Sequence, residues 1–323
     1  TLLHLGPGVG NGLANLHNVQ RGHAPVVNIV GDHARHHLKL DAPLTSDVEG
    51  VCRPMSRWVG TVREPSEVST MAVEAVRQAY GPARGVASLI LPADCAWSDA
   101  EPDVLPAIEP PAAIPVPADT VAEIADALKA AKAPVILLGN DACLDTGLEA
   151  AGRIAEATGA KLFMDTFVPR IARGHGRVSP KRLAYFGEQA LEELAGTDLL
   201  VIAGSKPPVA FFAYPDQPGE LTPPGARAVT LGDASSDIQE ALVSLAAQFP
   251  DAPAPKLSKL SQAPKLFPDE PLNPGYVGIS LLRHMPEDSV ICDDATTSGM
   301  GVFPWIEHGP RHDWLCLTGG AIG

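Results

Sequence analysis

The feature that most limits the fold of this chain is a regular alternation of short apolar runs with amphipathic segments. In the middle of the sequence, APVILLGND (133–141) is followed by TGLEAAGRIAEATG (146–159), which has helical spacing, and then by AKLFMDT (160–166). Strands that alternate with helices predict an α/β fold built on parallel sheets. Strands that end in Gly or Asp are typical of doubly wound sheets.

Two proline-rich stretches, 101–119 and 249–274, divide the sequence, because such composition favours extended linkers over packed elements. We therefore expect three blocks, which are 1–100, 115–250 and 270–323. The third block carries one predicted helix (273–285) and one predicted strand (288–294). So few elements do not easily form an independent core, and we expect this block to be truncated.

The composition restricts the class of protein. Hydrophobic residues make up 45% of the chain and charged residues 19%, which is typical of a globular protein. A net charge of −14 argues against binding to nucleic acid or to an anionic membrane. We find neither a membrane-spanning apolar run nor a signal peptide. The scattered cysteines lack a C-x-x-C pair and predict buried thiols in a reducing cytoplasm. They are Cys52, Cys95, Cys143, Cys292 and Cys316.

Glycines are concentrated in GPGVGN (6–11), after the apolar run that ends at His4. A Walker loop would require a following lysine, and a Rossmann fingerprint would require G-x-G-x-x-G. Proline also removes one backbone N–H that a phosphate site would use. The segment therefore predicts a tight connection between a strand and a helix, with His4 at the strand end where ligands bind in α/β sheets.

Two further clusters leave their role open. GDHARHH (31–37) places His33, His36 and His37 close together, but no further residues complete a zinc site, so we expect a solvated loop. The segment TTSG (296–299) follows the predicted strand at 288–294. Its hydroxyls could contact a ligand or could cap the next helix.

The order of these motifs resembles the thiamine-diphosphate-dependent enzymes of the acetolactate synthase, benzoylformate decarboxylase and pyruvate oxidase group. The resemblance runs from LLHLGPGVGN (2–11) through APVVNIVGD (24–32) and DSVICDDATTSG (288–299) to the final TGGAIG. It implies a partial pyrimidine-binding domain (1–100), a Rossmann-like central domain (115–250) and the start of a pyrophosphate-binding domain (270–323).

The resemblance also implies roles for individual residues. His4 matches a histidine that transfers protons on the substrate in the benzoylformate decarboxylase branch. Gly320 would offer its carbonyl to the 4′-amino group of thiamine diphosphate, and the side chain of Ile322 would hold the cofactor bent. The implied cofactor-binding residues are Gly6, Pro7, Gly8, Asn11, Thr296, Thr297, Ser298, Gly320, Ala321 and Ile322.

The chain departs from the family pattern in several places. The essential glutamate would precede residue 1, and the segment that binds Mg²⁺ and diphosphate would follow residue 323, so we assign no metal ligand. Where benzoylformate decarboxylase has a second active-site histidine, this chain has Phe211 and Phe212. The central block shows no clear flavin signature, so FAD remains an unsupported alternative.

By resemblance we expect a cytoplasmic decarboxylase or carboligase that acts on a 2-oxo acid and is inactive as this chain alone. A homodimer or homotetramer with sites shared between subunits would keep His4 and residues 320–322 of one chain apart, on separate domains. Two alternatives stay open. One is a non-catalytic module that binds FAD or NAD, and the other is a purely structural remnant.

Overall fold

The structure is a computed structural model, and it describes residues 1–322 except 102–103, 266–270 and 296. The described chain forms two compact units. The first comprises Thr1–Ala113 together with the closing residues from Thr318, and the second comprises Ile114–Leu317. Within the described residues, no helix has both the length and the hydropathy needed to cross a bilayer.

The first unit is a parallel sheet with helices on its faces. Its elements are β1 (Leu2–His4), α1 (Leu5–Arg21), β2 (Val26–Asp32), α2 (Val48–Cys52), β3 (Trp58–Thr61), α3 (Val68–Ala79), β4 (Val86–Pro92) and α4 (Ala93–Trp97). The four strands lie in the order β1-β2-β4-β3, and every neighbouring pair is parallel. Successive β4 residues point to opposite faces: Leu89 packs in a cluster with α3, and Ile90 packs in a cluster with α1 and α2.

Helix α1 begins earlier than the sequence predicts. The apolar spacing predicts a helix over 10–22, but the helix starts at Leu5 and includes the whole GPGVGN segment. Pro7 lies in its first turn, where the missing N–H has no helical partner to lose. Leu5 has a φ of 54°, and this reversal lets the strand pass into the helix without a loop. The expected glycine turn is therefore the first turns of a helix.

The second unit has a larger parallel sheet of five strands in the order β10-β9-β5-β6-β8. Every neighbouring pair is parallel. The elements of this part are α5 (Ala118–Ala130), β5 (Pro134–Leu138), α6 (Asp145–Thr158), β6 (Lys161–Met164), β7 (Arg170–Arg173), β8 (Lys181–Arg182), α7 (Gly187–Leu194), β9 (Leu199–Ala203), β10 (Arg227–Gly232) and α8 (Ile238–Ala246).

The end of the second unit is a small sheet that joins the third block of the sequence to the middle block. Its elements are α9 (Pro274–His284), β11 (Ser289–Asp293), α10 (Ser298–Val302) and β12 (His312–Cys316). Strand β12 is parallel to β11 and antiparallel to β7, with His312 opposite Arg173. The third block thus has more than the one helix and one strand predicted. The sequence HDWLC is short and begins with two polar residues, so its strand pattern is weak.

The third block shares its core with the middle block. Trp314 of β12 is 1% exposed, and its ring meets that of Phe303 edge to face at 5.0 Å. Both side chains belong to the cluster that contains Ile154 of α6 and Leu242 of α8. The few elements of this block therefore gain their buried surface from the middle block. The division into three domains remains a prediction, whereas the described residues group into two compact units.

Candidate functional site

His4 ends strand β1 at the carboxyl edge of the first sheet, where the parallel ladder pairs it with Gly31. Its side chain is exposed. The next residue, Leu5, has a left-handed φ of 54° although it is only 3% exposed. Non-glycine residues in that conformation are strained, and such strain concentrates at functional sites. The geometry therefore directs an accessible imidazole out of the edge at which α/β sheets bind ligands.

The predicted residues of the opening segment lie in the first turns of α1 and differ in their surroundings. Gly6 is buried, and a Cβ there would collide with the side chain of Ser46. A Cβ on Gly8 would meet only ordinary contacts, the nearest at 3.5 Å. Pro7 and Asn11 are exposed. Packing therefore favours glycine at Gly6. No such close contact restricts Gly8, and the exposed Pro7 and Asn11 can face a ligand.

The closing residues 318–322, here called the closing turn, lie against α1. The Asn18 amide oxygen accepts the N–H groups of Gly319 and Ala321, each at 3.1 Å, and its amide nitrogen donates to the Ala321 carbonyl at 2.6 Å. Gly320 has a φ of 72°, and Ile322 is 60% exposed. The sequence contained no signal for Asn18, because its partners lie at the opposite end of the chain.

His4 and the closing turn contact opposite ends of the same helix. His4 precedes α1, and Asn18 lies fourteen residues further on, which is roughly 21 Å at 1.5 Å per residue. The expectation that the two segments lie on separate domains is wrong, because both belong to the first compact unit. They are nevertheless held apart by the length of a helix.

A cavity of about 440 Å³ opens beside the carboxyl end of β11 in the second unit. Its lining includes Asp293, Asp294, Ser298 and Trp314. Asp293 accepts the Ala295 N–H at 2.9 Å, which turns the chain toward α10. Ser298, the first residue of α10, lines this cavity, and Thr297 precedes it, exposed to solvent. The third predicted residue of this segment, Thr296, lies outside the described residues.

Buried Arg173 and partly buried Arg182 sandwich the ring of Phe303. The guanidinium carbons of Arg173 and Arg182 are 3.4 Å and 3.7 Å from the centroid of Phe303. Burial lowers the pKa of Arg173 to about 9 and also lowers the pKa of Arg182. The Arg173 guanidinium donates to the Phe303 carbonyl at 2.9 Å. Ring faces attract such cations, and the pair fixes Phe303 against Trp314.

The carboxyl edge of the five-stranded sheet carries residues that sequence reasoning missed. Asp165 follows β6 and is contacted by the Ser205 hydroxyl, which follows β9. Burial raises the pKa of Asp165 to about 6. A Cβ on Gly139, after β5, would lie 2.9 Å from the Gly204 carbonyl. The available signal was the small or acidic residue at each strand end, a pattern that by itself indicates only the fold.

Aromatic side chains gather near the same edge. The rings of Tyr185 and Phe211 stack with centroids 4.8 Å apart, and Phe167 meets Phe211 edge to face at 5.3 Å. Phe211 and Phe212 are about half exposed, at 47% and 58%. The sequence therefore presents aromatic surface at the position where the resemblance would place a histidine.

The histidine cluster and the cysteines supply no metal site among the residues that the structure describes. The centroids of the His33 and His37 rings lie 5.5 Å apart, and among the described residues no third metal-ligating side chain lies close enough to complete a site. The cysteines are free, as predicted, but only part of the burial prediction holds. Cys52, Cys95 and Cys143 are buried, whereas Cys292 is exposed.

Curated proteins that match nearly the whole chain include the following two. One, from Mycobacterium tuberculosis, is named "Putative acetolactate synthase large subunit IlvX" and is 39% identical over 322 residues, covering 100% of this chain and 61% of that protein. The other, benzoylformate decarboxylase of Pseudomonas aeruginosa, is 27% identical over 348 residues, covering 99% of this chain and 64% of its own length. The resemblance to the thiamine-diphosphate-dependent enzymes is confirmed.

Solved structures of thiamine-diphosphate-dependent enzymes share the fold. The 4-hydroxybenzoylformate decarboxylase of Rhodococcus jostii matches 99% of this chain and 64% of its own with a TM-score of 0.80 and 20% identity. Benzoylformate decarboxylase of Polynucleobacter necessarius matches 100% of this chain and 63% of its own with a TM-score of 0.81 and 21% identity. No family model matches. The predicted α/β fold with parallel, Rossmann-like sheets is confirmed, and the chain spans slightly under two thirds of these relatives.

Proposed function

We propose that this chain forms part of a thiamine-diphosphate-dependent decarboxylase or carboligase that acts on a 2-oxo acid. The observation that supports the proposal best is the 39% identity to a relative named as an acetolactate synthase large subunit over the whole chain. His4 lies exposed at a strand end, and the closing turn leaves Gly320 and Ile322 facing outward, as the resemblance requires.

The residues at the closing turn fit the ring end of thiamine diphosphate. A Cβ on Gly320 would meet no atom within 4 Å, so space is open beside its backbone. The Gly320 carbonyl would accept a hydrogen bond from the amino group of thiamine diphosphate, and the Ile322 side chain would supply an apolar contact. By contrast, the described residues hold no group of metal-ligating side chains for the magnesium diphosphate end. The resemblance places those ligands outside residues 1–323.

Thiamine diphosphate, when bound, supplies the carbon nucleophile and the electron sink for loss of CO₂ from a 2-oxo acid. The chain's own contribution is orientation and proton transfer. The exposed His4 imidazole carries the donor and acceptor nitrogens of a general acid or base. Leu5, with its left-handed φ of 54°, sets the direction in which the chain leaves His4 and enters the helix.

We infer further that the two walls of the site come from different subunits. A helix length separates His4 from the closing turn within one chain, so these residues do not line a single pocket in the first unit. A homodimer or homotetramer would bring His4 of one subunit to the closing turn of another. Chemical crosslinking and light scattering of the purified protein test for this association.

The experiment that tests the function begins with the reading frame that encodes residues 1–323. An upstream H-E-x-x-A and a downstream G-D-G-S motif are expected in that frame. The protein encoded by the whole frame should release CO₂ from 2-oxo acids when thiamine diphosphate and Mg²⁺ are present. Residues 1–323 alone should give no magnesium-dependent binding isotherm. A complete frame whose product binds no thiamine diphosphate would refute the proposal.

A second candidate function is dinucleotide binding by the central sheet. The strand order places the crevice between β5 and β9, where connections leave the sheet in opposite directions and ligands commonly bind. Gly139 and Gly204 bring two backbones close together there. Titration of the protein with FAD and with NAD⁺, without thiamine, tests this alternative. Stoichiometric binding of either nucleotide would favour it.

A further inference from the structure

Asn18 makes an unusually complete set of hydrogen bonds with the closing turn. We propose that Asn18 is the positioning residue that fixes this turn, so that the Gly320 carbonyl and the Ile322 side chain face the cofactor. The inference rests on the proposed function for its cofactor. Its geometric part, that one side chain on α1 holds residues 319–321 in place, stands on the contacts alone.

The Asn18 side chain satisfies three backbone groups of the turn. Its oxygen accepts from Gly319 and Ala321, and its nitrogen donates to the Ala321 carbonyl. The Thr318 hydroxyl adds a fourth bond, at 2.7 Å, to the Asn18 backbone carbonyl. A primary amide offers both a donor and an acceptor in one plane. The Asn18 amide therefore makes the hydrogen bonds that the backbone of a neighbouring strand would otherwise make with the turn.

The close approach of the turn to α1 depends on Gly319. A Cβ at that position would lie 2.5 Å from Cδ2 of the His17 ring and 2.9 Å from the Asn18 side-chain oxygen. Glycine therefore lets the backbone N–H reach the amide. The two adjacent glycines, Gly319 and Gly320, have different roles. Gly319 permits contact with Asn18, and Gly320 adopts the left-handed φ of 72° that reverses the chain.

The hydrogen bonds engage the flanks of the turn and leave its tip free. Among the described residues, no hydrogen bond occupies the Gly320 carbonyl, and the Ile322 side chain is 60% exposed. Asn18 thus holds the turn from the helix side and leaves the groups on the opposite side available. A flat heteroaromatic ring that carries an amino group has the chemistry to use both, because the amino group donates a hydrogen bond to the carbonyl and the ring face packs against the apolar side chain.

Aspartate is the informative substitution at this position, because Asn18→Asp keeps the oxygen that accepts two N–H groups but loses the donor to Ala321. Asn18→Ala loses all three side-chain bonds. Asn15, exposed on the same helix, provides the matched control as Asn15→Ala. The three variants and the unaltered chain can be compared by NMR measurement of backbone amide exchange, which requires no cofactor.

We expect Asn18→Ala to lower the exchange protection of the Gly319 and Ala321 amides by at least about tenfold, since these amides lose their acceptor. Asn18→Asp should retain part of that protection, and Asn15→Ala should retain all of it. Protection in strand β4 should change little. Unchanged protection at Gly319 and Ala321, or an equal loss throughout the first unit, would overturn the proposal.

A second measurement addresses the cofactor. In the protein encoded by the whole reading frame, Asn18→Ala should weaken thiamine diphosphate binding by about tenfold or more, while Asn15→Ala binds normally. Equal binding by both variants would show that Asn18 holds the turn without positioning it for the cofactor. Failure of the unaltered protein to bind thiamine diphosphate would refute the proposed function instead, and the amide exchange result would still decide the role of Asn18 in the fold.

Discussion

The Ser205 hydroxyl lies 2.6 Å from both carboxylate oxygens of Asp165, and the two residues follow different strands of the central sheet. Ser205 donates to a carboxyl group that is nearly shut off from water. Burial therefore raises the pKa of Asp165 to about 6, and the single hydroxyl compensates only in part. The folded protein thus binds a proton at Asp165 more tightly than the unfolded chain does.

This relationship predicts a pH-dependent effect of Asp165→Asn. Because the folded-state pKa is raised, the stability that Asp165 contributes is present below its unfolded pKa of about 3.9 and is lost as the pH rises through about 6. Asparagine cannot ionise and can still accept from Ser205. We therefore compare the free energy of unfolding of the variant with that of the unaltered chain at each pH. This difference should favour the variant by on the order of 1–3 kcal/mol more at pH 8 than at pH 4.

Urea unfolding at a series of pH values measures this difference. Asp126→Asn is the matched control, because that carboxylate lies on the surface of α5 and its ion pair with Lys129 is exposed. The control should show no such trend. A constant effect of Asp165→Asn across the pH range would show that ionisation of Asp165 does not oppose folding.

Burial of His312, in the same unit, predicts that stability changes with pH in the opposite direction. Its Nδ1 lies 2.8 Å from the Pro310 carbonyl, and burial lowers its pKa to about 4. A depressed folded pKa means that stability is present above the unfolded pKa of about 6.5 and is lost as the pH falls toward 4. His312→Asn keeps a donor for Pro310 but cannot take up the proton. Its loss of stability between pH 7 and 4 should be smaller by on the order of 2–3 kcal/mol.

Acid unfolding followed by circular dichroism checks this prediction. His308→Asn, at an exposed position, is the control. This variant should unfold over the same pH range as the unaltered chain. If His312→Asn unfolds with the same acid dependence, protonation of His312 does not limit stability at low pH.

The glycines of the opening segment should respond differently to alanine. Gly6→Ala places a methyl group against Ser46 in a buried position, and overpacking of this kind costs about 1–3 kcal/mol. A Cβ on Gly10 would meet no atom within 4 Å, and this residue lies exposed on the helix surface. Gly10→Ala should therefore stabilise the protein by about 0.5–1 kcal/mol, because alanine loses less entropy in a helix.

Thermal and urea unfolding of the two single variants provide the comparison. Each substitution adds one methyl group to the same helix, so the difference isolates the packing around Gly6. Equal stability of the two variants would show that Ser46 moves aside without cost.

His4 is predicted to transfer protons in the protein encoded by the whole reading frame. His4→Ala should lower turnover of a 2-oxo acid by on the order of 10²–10⁴-fold, the range found for general acid–base groups. Thiamine diphosphate affinity should stay within a few-fold, because the resemblance places the groups that anchor the diphosphate away from His4. His17→Ala, half-buried on α1, is the comparison for a histidine beside that turn. Near-normal turnover of His4→Ala would assign His4 a packing role.

The sequence by itself determined the class of fold and most of its elements. The runs that became β5, α6 and β6 are apolar with strand or helix periodicity, and local pattern fixes such elements because each buries its own apolar face. The sequence alone also showed the order of the motifs, because each motif is a local stretch of chain. His4 could be singled out for this reason, because a histidine that ends an apolar strand before glycines is visible without a neighbour.

Only the tertiary structure decided how distant residues combine. Strand β12 is too short and polar to be recognised alone, and it forms because β7 and β11 pair with its edges. Helix α1 takes in the glycines because Leu5 reverses the chain and Gly6 fits under Ser46. Asn18 and Ala321 meet, as Asp165 and Ser205 do, because folding brings together groups that are far apart in sequence. Their hydrogen bonds and the resulting pKa shift depend on burial and distance, and neither quantity is encoded in local periodicity.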